Sequence, residues 1–390
     1  MLVRYYGPVG IHSGYGHAAN ETCMAILAAG MRLEVQTYNP APGSDLRNYL
    51  HARYSALAPC IRDDSAPSTP DPDVVIVHTL PRDCARVLEV ARIRELYPQA
   101  RCVAYTTWEC APPLPVETST TLALFDEIWV PSTQTQYAIW ATNERHRVHV
   151  VPHAFDESVE PTPPDHASLG PCRPFRFYYV GAWNRRKNPA GVIQAYLRVF
   201  ALGDEVELVI HATDASDDAC LLATVAATGK PPKEVAPIRL SNKRLSDAEI
   251  QNLHRTSHCF VTASRGEAWN LPAFDAMLAR RHIISPRALG STDFLGDTTA
   301  WLYDTALVPA GGEARLVQLP DGQVGVRSIG TDVTVHNDWW EPDINELGQN
   351  MYRAFTTHRA ELHVDYDPAE RFGRRAVGML IKRLLEGATR

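Results

Sequence analysis

Ser264-Arg265-Gly266-Glu267-Ala268-Trp269-Asn270-Leu271-Pro272-Ala273-Phe274-Asp275-Ala276-Met277 follows an apolar run, Cys259 to Ala263, and opens a helix-length segment. Pro272 suits the first turn of that helix, where its missing N–H costs nothing. The backbone N–H groups of residues 270 to 273 then stand at a helix N-terminus, which the helix dipole makes attractive to an anion. Glu267 lies in the loop just ahead, and Asp275 about one turn into the helix. One acid on each side can hold two hydroxylated parts of an extended ligand, with a phosphate between them.

Working outward, the same rhythm of short apolar run and helical segment fills both halves of the chain. The first half has runs at Leu2 to Tyr6, Arg32 to Thr37, Val74 to His78, Cys102 to Thr106, Glu127 to Pro131 and Val148 to Val151. The second has Phe175 to Gly181, Val206 to His211, Ile238 to Leu240, Cys259 to Ala263, His282 to Ser285 and Thr299 to Tyr303. Short strands that are apolar throughout, separated by helices, predict parallel sheets covered on both faces. The fold class expected is α/β, with two doubly wound Rossmann-like domains. Glu157 to Pro174 holds five prolines and no periodicity. The expected division is therefore a first domain over 1–160, a linker over 161–174, a second domain over 175–367 and a closing helix over 368–390. Around Leu319-Pro320-Asp321-Gly322, a turn between two short runs predicts an inserted hairpin over 315–334.

Composition sets limits. The chain has 390 residues, enough for two domains, with 45% apolar and 21% charged residues and a net charge of −7. That charge argues against a nucleic-acid coat protein. No run approaches the ~18 apolar residues of a membrane span, and no signal peptide is visible at the start. The eight cysteines form no Cys-x-x-Cys pair and fall mostly in apolar segments, as expected of reduced thiols in the cytoplasm. No metal motif is found: Asp71-Pro72-Asp73 has the Asp-x-Asp spacing but precedes a strand.

Two further turns carry chemistry. Gly181-Ala182-Trp183-Asn184-Arg185-Arg186-Lys187-Asn188-Pro189 is a basic loop between a strand and a helix. A cationic loop at the carboxyl end of a parallel strand is suited to a diphosphate. Gly7 to Asn20 contains four glycines and leads into a helical run. Gly14, Tyr15 and Gly16 there let backbone N–H groups come close to a phosphate or sugar. His78 ends a strand in the first half, and His153 follows another, where packing is the favoured reading.

The first motif resembles the retaining glycosyltransferases of family 4. Their mark is two acids separated by seven residues, in a setting like Glu-Gly-Phe-Gly-Leu-Pro followed by Glu-Ala-Met. Glu267 and Asp275 have that spacing, with Leu271-Pro272 and Ala276-Met277 in register. Ala268 and Asn270 stand where the family has glycines, Asp275 where it has the second glutamate, and Ala182 where many members have Arg. The resemblance covers roughly residues 1 to 305, Trp340-Glu341-Pro342-Asp343 and the closing helix. It implies the GT-B arrangement, two Rossmann-like domains facing a cleft with the C-terminal helix crossing back. It further implies a UDP- or GDP-sugar as co-substrate, no prosthetic group and no obligatory metal. Glu267 is then expected at the donor sugar hydroxyls, Asp275 at the ribose, and Arg186 and Lys187 at the diphosphate. Gly181, Asn270, Leu271 and Pro272 complete the donor contacts; Gly14, Tyr15 and Gly16 face donor and acceptor across the cleft, and His78 is expected near the reacting sugar, a catalytic candidate with Glu267, Arg186 and Lys187. Same-face attack, with the leaving phosphate taking the acceptor's proton, is also implied.

The expected activity is therefore sugar transfer from a nucleoside-diphosphate sugar, with retention, to an acceptor that the sequence does not name: a saccharide, a small molecule or a modified DNA base. Rivals on the same architecture are a sugar-nucleotide epimerase or hydrolase and a non-catalytic nucleotide-sugar or glycan-binding module. The first brings extra catalytic acids that are not found; loss of Glu267 or Lys187 would have favoured the second, and both are present. Specificity is expected in the loops 39–70, 107–120 and 310–337.

Overall fold

A computed structural model describes residues 1–11, 13–37, 52–62, 70–159, 174–213, 215, 219–243, 245–310, 314–318, 324–328, 338–357 and 366–387. The chain divides into two compact units: Met1–Trp108 with Pro112–Glu160 and Tyr366–Arg390, and Glu109–Ala111 with Pro161–Asp365. All but the last residue of the linker expected at 161–174 lies outside the described residues, as do much of the 39–70 and 310–337 loops.

All twelve apolar runs are strands. In the first unit β1 (Leu2–Gly7), β2 (Arg32–Thr37), β3 (Val74–His78), β4 (Arg101–Tyr105), β5 (Glu127–Val130) and β6 (Val148–Val150) form a parallel sheet in the order β2-β1-β3-β4-β5-β6. β1 and β3 are buried at every residue, as a sheet covered on both faces requires. Arg4 on β1 stands opposite Glu34 on β2 and pairs with it at 2.6 Å, so a one-residue slip would break an ion pair as well as the ladder.

In the second unit β7 (Phe175–Val180), β8 (Val206–His211), β9 (Ile238–Ser241), β10 (Cys259–Val261), β11 (His282–Pro286) and β12 (Trp301–Tyr303) make a second parallel sheet, in the order β12-β11-β10-β7-β8-β9. β13 (Thr305–Pro309) and β16 (Asp338–Pro342) pair antiparallel beside it. Within the segment expected as a hairpin, β14 (Ala314–Gln318) and β15 (Val324–Ser328) also pair antiparallel, while the turn 319–323 and residues 329–334 lie outside the described residues.

The strand orders fix where a ligand can bind. From β1 the first chain path leaves to β2, then returns past β1 to β3. The second path leaves β7 for β8 and β9, then returns to β10 on the other side. Adjacent connections diverge at these two points and leave a crevice at the carboxyl ends of the strands. The crevice of the first sheet lies at the ends of β1 and β3, that of the second at the ends of β7 and β10.

The last segment belongs to the first unit. Val377, Ile381 and Leu385 join the buried cluster of Ala25, Ile26 and Ala29, each aliphatic side chain contributing about 1.5–3 kcal/mol. Arg374 donates to Glu21 at 2.7 and 3.1 Å and to Asp156 at 2.6 Å. Glu157 accepts the N–H groups of Arg374 and Arg375, which caps the helix Arg374–Gly387. Gly378 lets this helix touch the helix Gly14–Ala28: a Cβ there would lie 2.1 Å from the Ala25 carbonyl oxygen. Gly378→Ala is therefore expected to cost about 1–3 kcal/mol. A urea midpoint equal to that of the wild type would show that the two helices are free to part.

Candidate active site

At the crevice of the second sheet, one carboxylate gathers the charges. The Glu267 side chain is 4% exposed, and Lys187 Nζ meets its two oxygens at 2.6 and 2.8 Å. Arg186 Nη1 lies 3.4 Å from Glu267 Oε2 and donates to the Gly266 carbonyl at 2.5 Å. Burial by itself raises the carboxyl's pKa. Lys187 and Arg186, with hydrogen bonds from Lys187 and Ser264, outweigh it and hold Glu267 below the usual range. Arg186 is desolvated too, yet Glu109 and Glu267 beside it keep its pKa above the ordinary value.

The loop from β10 to the helix Leu271–Leu278 is shaped by two residues. A Cβ on Gly266 would stand 1.7 Å from the Glu109 carbonyl oxygen, so only glycine fits. Asn270 has φ +74°, a left-handed conformation that asparagine tolerates better than most residues. It also caps the helix, its Oδ1 accepting from Ala273 N–H at 3.4 Å. The anion site expected at 270 to 273 is thus narrower than the sequence suggests. Pro272 has no N–H and Ala273 gives its own to the cap, which leaves the amides of Asn270 and Leu271. The Asn270 Nδ2, buried and without a hydrogen-bond partner among the described residues, is a further donor there. Asp275 is part-buried one turn into the helix.

The basic loop is held by its own bonds. Asn184 Oδ1 accepts from Lys187 N–H at 2.8 Å, and Tyr179 donates to the Ala182 carbonyl at 3.2 Å. Asn188, left-handed at φ +51°, caps the helix Pro189–Val199 by accepting from Gly191 N–H. Gly181 ends this strand turn beside the Tyr179 ring. Arg186 and Lys187 are thereby presented from a turn braced by its own side chains.

The first sheet's crevice carries its own set. His78, at the end of β3, is fully buried, stacked on Tyr105 with ring centroids 4.4 Å apart and hydrogen-bonded through Nδ1 to the Tyr5 hydroxyl. Burial, then the neighbouring His153, holds its pKa well below the usual value, so the ring is neutral at physiological pH. Tyr15 tilts against His78 at 5.2 Å and shares a 2.6 Å hydrogen bond with Thr107. Gly16 is required by space: a Cβ would lie 1.8 Å from the Ile11 carbonyl oxygen. Gly14 opens the same helix, capped by Ser13. His153 is buried with its pKa down to about 3, through burial and then His17, and its Nδ1 meets the Tyr105 hydroxyl at 3.2 Å. That environment fits packing.

Within the second unit the structure joins Arg186, Lys187 and Glu267 in direct contact, with Gly181, Asn270, Leu271, Pro272 and Asp275 on the same two strand-to-helix turns. Within the first it joins His78 with Tyr15, Gly14 and Gly16. The sequence carries no sign that Glu109 belongs with the basic loop, yet its Oε1 meets Arg186 Nη2 at 3.2 Å. Nor did it pair Arg265 with Glu341, a two-bond contact that ties the motif loop to β16. Both partners are about 76 residues or more apart in sequence, beyond any local spacing.

The Lys187–Glu267 pair has a pH signature. Glu267 is depressed in the folded state, so the stability it contributes is complete above about pH 4.3 and drains as pH falls through the lower folded value. Lys187→Ala leaves burial to dominate and should cost about 1–3 kcal/mol at neutral pH, because Arg186 still faces the carboxylate. Urea unfolding of both proteins at pH 7 and pH 4 should show this gap shrinking at the lower pH. A gap that is constant with pH would place the cost elsewhere.

No protein-family model and no curated protein matches the chain. Solved structures match it over its whole length. Sucrose-phosphate synthase from Thermosynechococcus elongatus has a TM-score of 0.68 at 13% identity, covering 100% of this chain and 99% of that one. A glycosyltransferase from Rickettsia africae has 0.66 at 10%, covering 100% and 98%. HepE from Anabaena in complex with UDP and glucose has 0.64 at 13%, covering 99% and 100%. The two parallel six-stranded sheets of this chain therefore build the glycosyltransferase fold of the GT-B type.

Proposed function

We propose that the protein is a retaining glycosyltransferase of the family 4 kind, moving a hexosyl group from a nucleoside-diphosphate sugar to an acceptor hydroxyl. The observation that carries this reading is the Glu267–Lys187–Arg186 cluster at the switch point of the second sheet. Binding of UDP and UDP-glucose by HepE, a structure of like fold, supports UDP as the first nucleotide to test. On this reading residues 175–367 hold the donor and residues 1–160 serve the acceptor.

The chemistry follows from charge and geometry. As the bond from the sugar's anomeric carbon to the phosphate oxygen breaks, negative charge grows on the leaving diphosphate. Arg186, Lys187 and the Asn270 and Leu271 amides are fixed where they can take up that charge without reorganising. Glu267, kept ionised, accepts hydrogen bonds from sugar hydroxyls. Asp275 reaches the ribose. The acceptor oxygen bonds to the anomeric carbon on the face the diphosphate leaves, and its proton passes to the departing phosphate oxygen. His78, neutral, serves as a hydrogen-bonding group of the first unit with Gly14, Tyr15 and Gly16. The seven described cysteines are all free thiols, which supports a cytoplasmic setting. No helix among the described residues is long and apolar enough to cross a membrane.

A thermal-shift panel of UDP, GDP and their sugars tests the donor site. Ligand at a hundredfold its dissociation constant should stabilise by about 2.7 kcal/mol, and Lys187→Ala should abolish the shift. No shift with any nucleotide would sink the reading. Retention is tested by proton NMR of slow donor hydrolysis, water replacing the acceptor: the first sugar released should keep the donor's anomeric configuration, and the opposite anomer would overturn it.

A further inference from the structure

We infer that Glu109 is a positioning residue of the donor site, a carboxylate that competes with a bound diphosphate for Arg186. The inference rests on reading the Arg186–Lys187–Glu267 cluster as a diphosphate site and goes beyond it.

Charge is the first argument. Arg186 and Lys187 are cations; Glu267 and Glu109 are the anions in contact with them, so the four side chains sum to zero. A diphosphate entering this group brings negative charge that stays unmatched unless one carboxylate lets go.

The two carboxylates are held unequally. Glu267, 4% exposed, is gripped through both oxygens by Lys187 and also faces Arg186. Moving it off would strand a buried charge. The Glu109 side chain is 38% exposed and meets Arg186 at 3.2 Å. Water can solvate it as soon as it swings away, and partly exposed pairs of this kind are weak. Glu109 is therefore the member that yields.

Its main chain, in contrast, stays put. The Glu109 carbonyl is packed against Gly266, and two residues on Ala111 N–H donates to the Asp338 carbonyl at 2.9 Å. A swinging side chain on a clamped backbone returns to Arg186 when the diphosphate departs. Glu109 thus weakens the hold on the nucleoside diphosphate product and favours its release, acting through Arg186 rather than on the reacting atoms.

Calorimetry with UDP and with uridine on the full-length protein tests this. Glu109→Gln should bind UDP about two- to fivefold tighter, a gain of the size a weak ion pair opposes. Uridine, which has no phosphate, should bind as to the wild type. Glu109→Ala, which removes the carboxylate altogether, should show the same selective gain and serves if the Gln variant does not fold. Unchanged or weaker UDP binding, or a gain shared by uridine, overturns the inference while leaving the donor site intact. Failure of the wild type to bind UDP sinks the donor-site reading and this inference with it.

Discussion

The site depends on a carboxylate that is buried and yet ionised. Glu267 could not stay charged in a desolvated loop without Lys187 and Arg186 beside it. Nor could those cations be held close together without a counter-charge. The loop geometry follows from the same need. Gly266 gives up its side chain so that the loop can press against the Glu109 carbonyl. Ser264 points its hydroxyl between the carbonyls of Arg186 and Gly266 at 3.3 and 3.2 Å. Arg265 N–H donates to the Arg186 carbonyl at 2.7 Å. The two loops are thus stitched backbone to backbone, and the ion pairs span the same seam.

The fold was legible because its signal is local and repeated. Each strand is a run of apolar residues, and burial on both faces demands no more than that. The short strands end before their apolar runs do: β10 stops at Val261 although Thr262 and Ala263 are also buried, since apolar character outlasts the ladder. The site was legible only in part. Arg186, Lys187, Glu267 and Asp275 sit in two short motifs with fixed spacing. Glu109 carries no such mark, because it reaches the site by tertiary contact from a loop in the other half of the sequence.

One departure from the resembled pattern has a physical reason. The position of Asn270 is left-handed, a conformation open to the glycine of the resembled pattern and tolerated by asparagine. The exchange changes the chemistry of the turn. Asparagine takes one amide for its cap and returns a carboxamide N–H₂ in its place, so a backbone donor is traded for a side-chain one. Ala268, in contrast, is 3% exposed beside Trp269 and is accommodated as packing.

Buried, ion-paired carboxylates are not in themselves a mark of function in this chain. Glu127, at the start of β5, is surrounded by Arg101, Arg147 and His149. Glu207, near the start of β8, is paired by Arg176 and Arg239 from the strands on either side. Both are as desolvated as Glu267, and both have cations to match. What separates them is the end of the sheet. Glu127 and Glu207 lie at the amino ends of their strands, where ion pairs between neighbouring strands pin the register. Glu267 lies beyond the carboxyl end of β10, at the point where the chain paths diverge, the end of an open parallel sheet at which ligands bind as a rule. The same electrostatic arrangement pins the register at one end of the sheet and, at the other, joins two strand-to-helix loops, which is where the proposed donor site is placed.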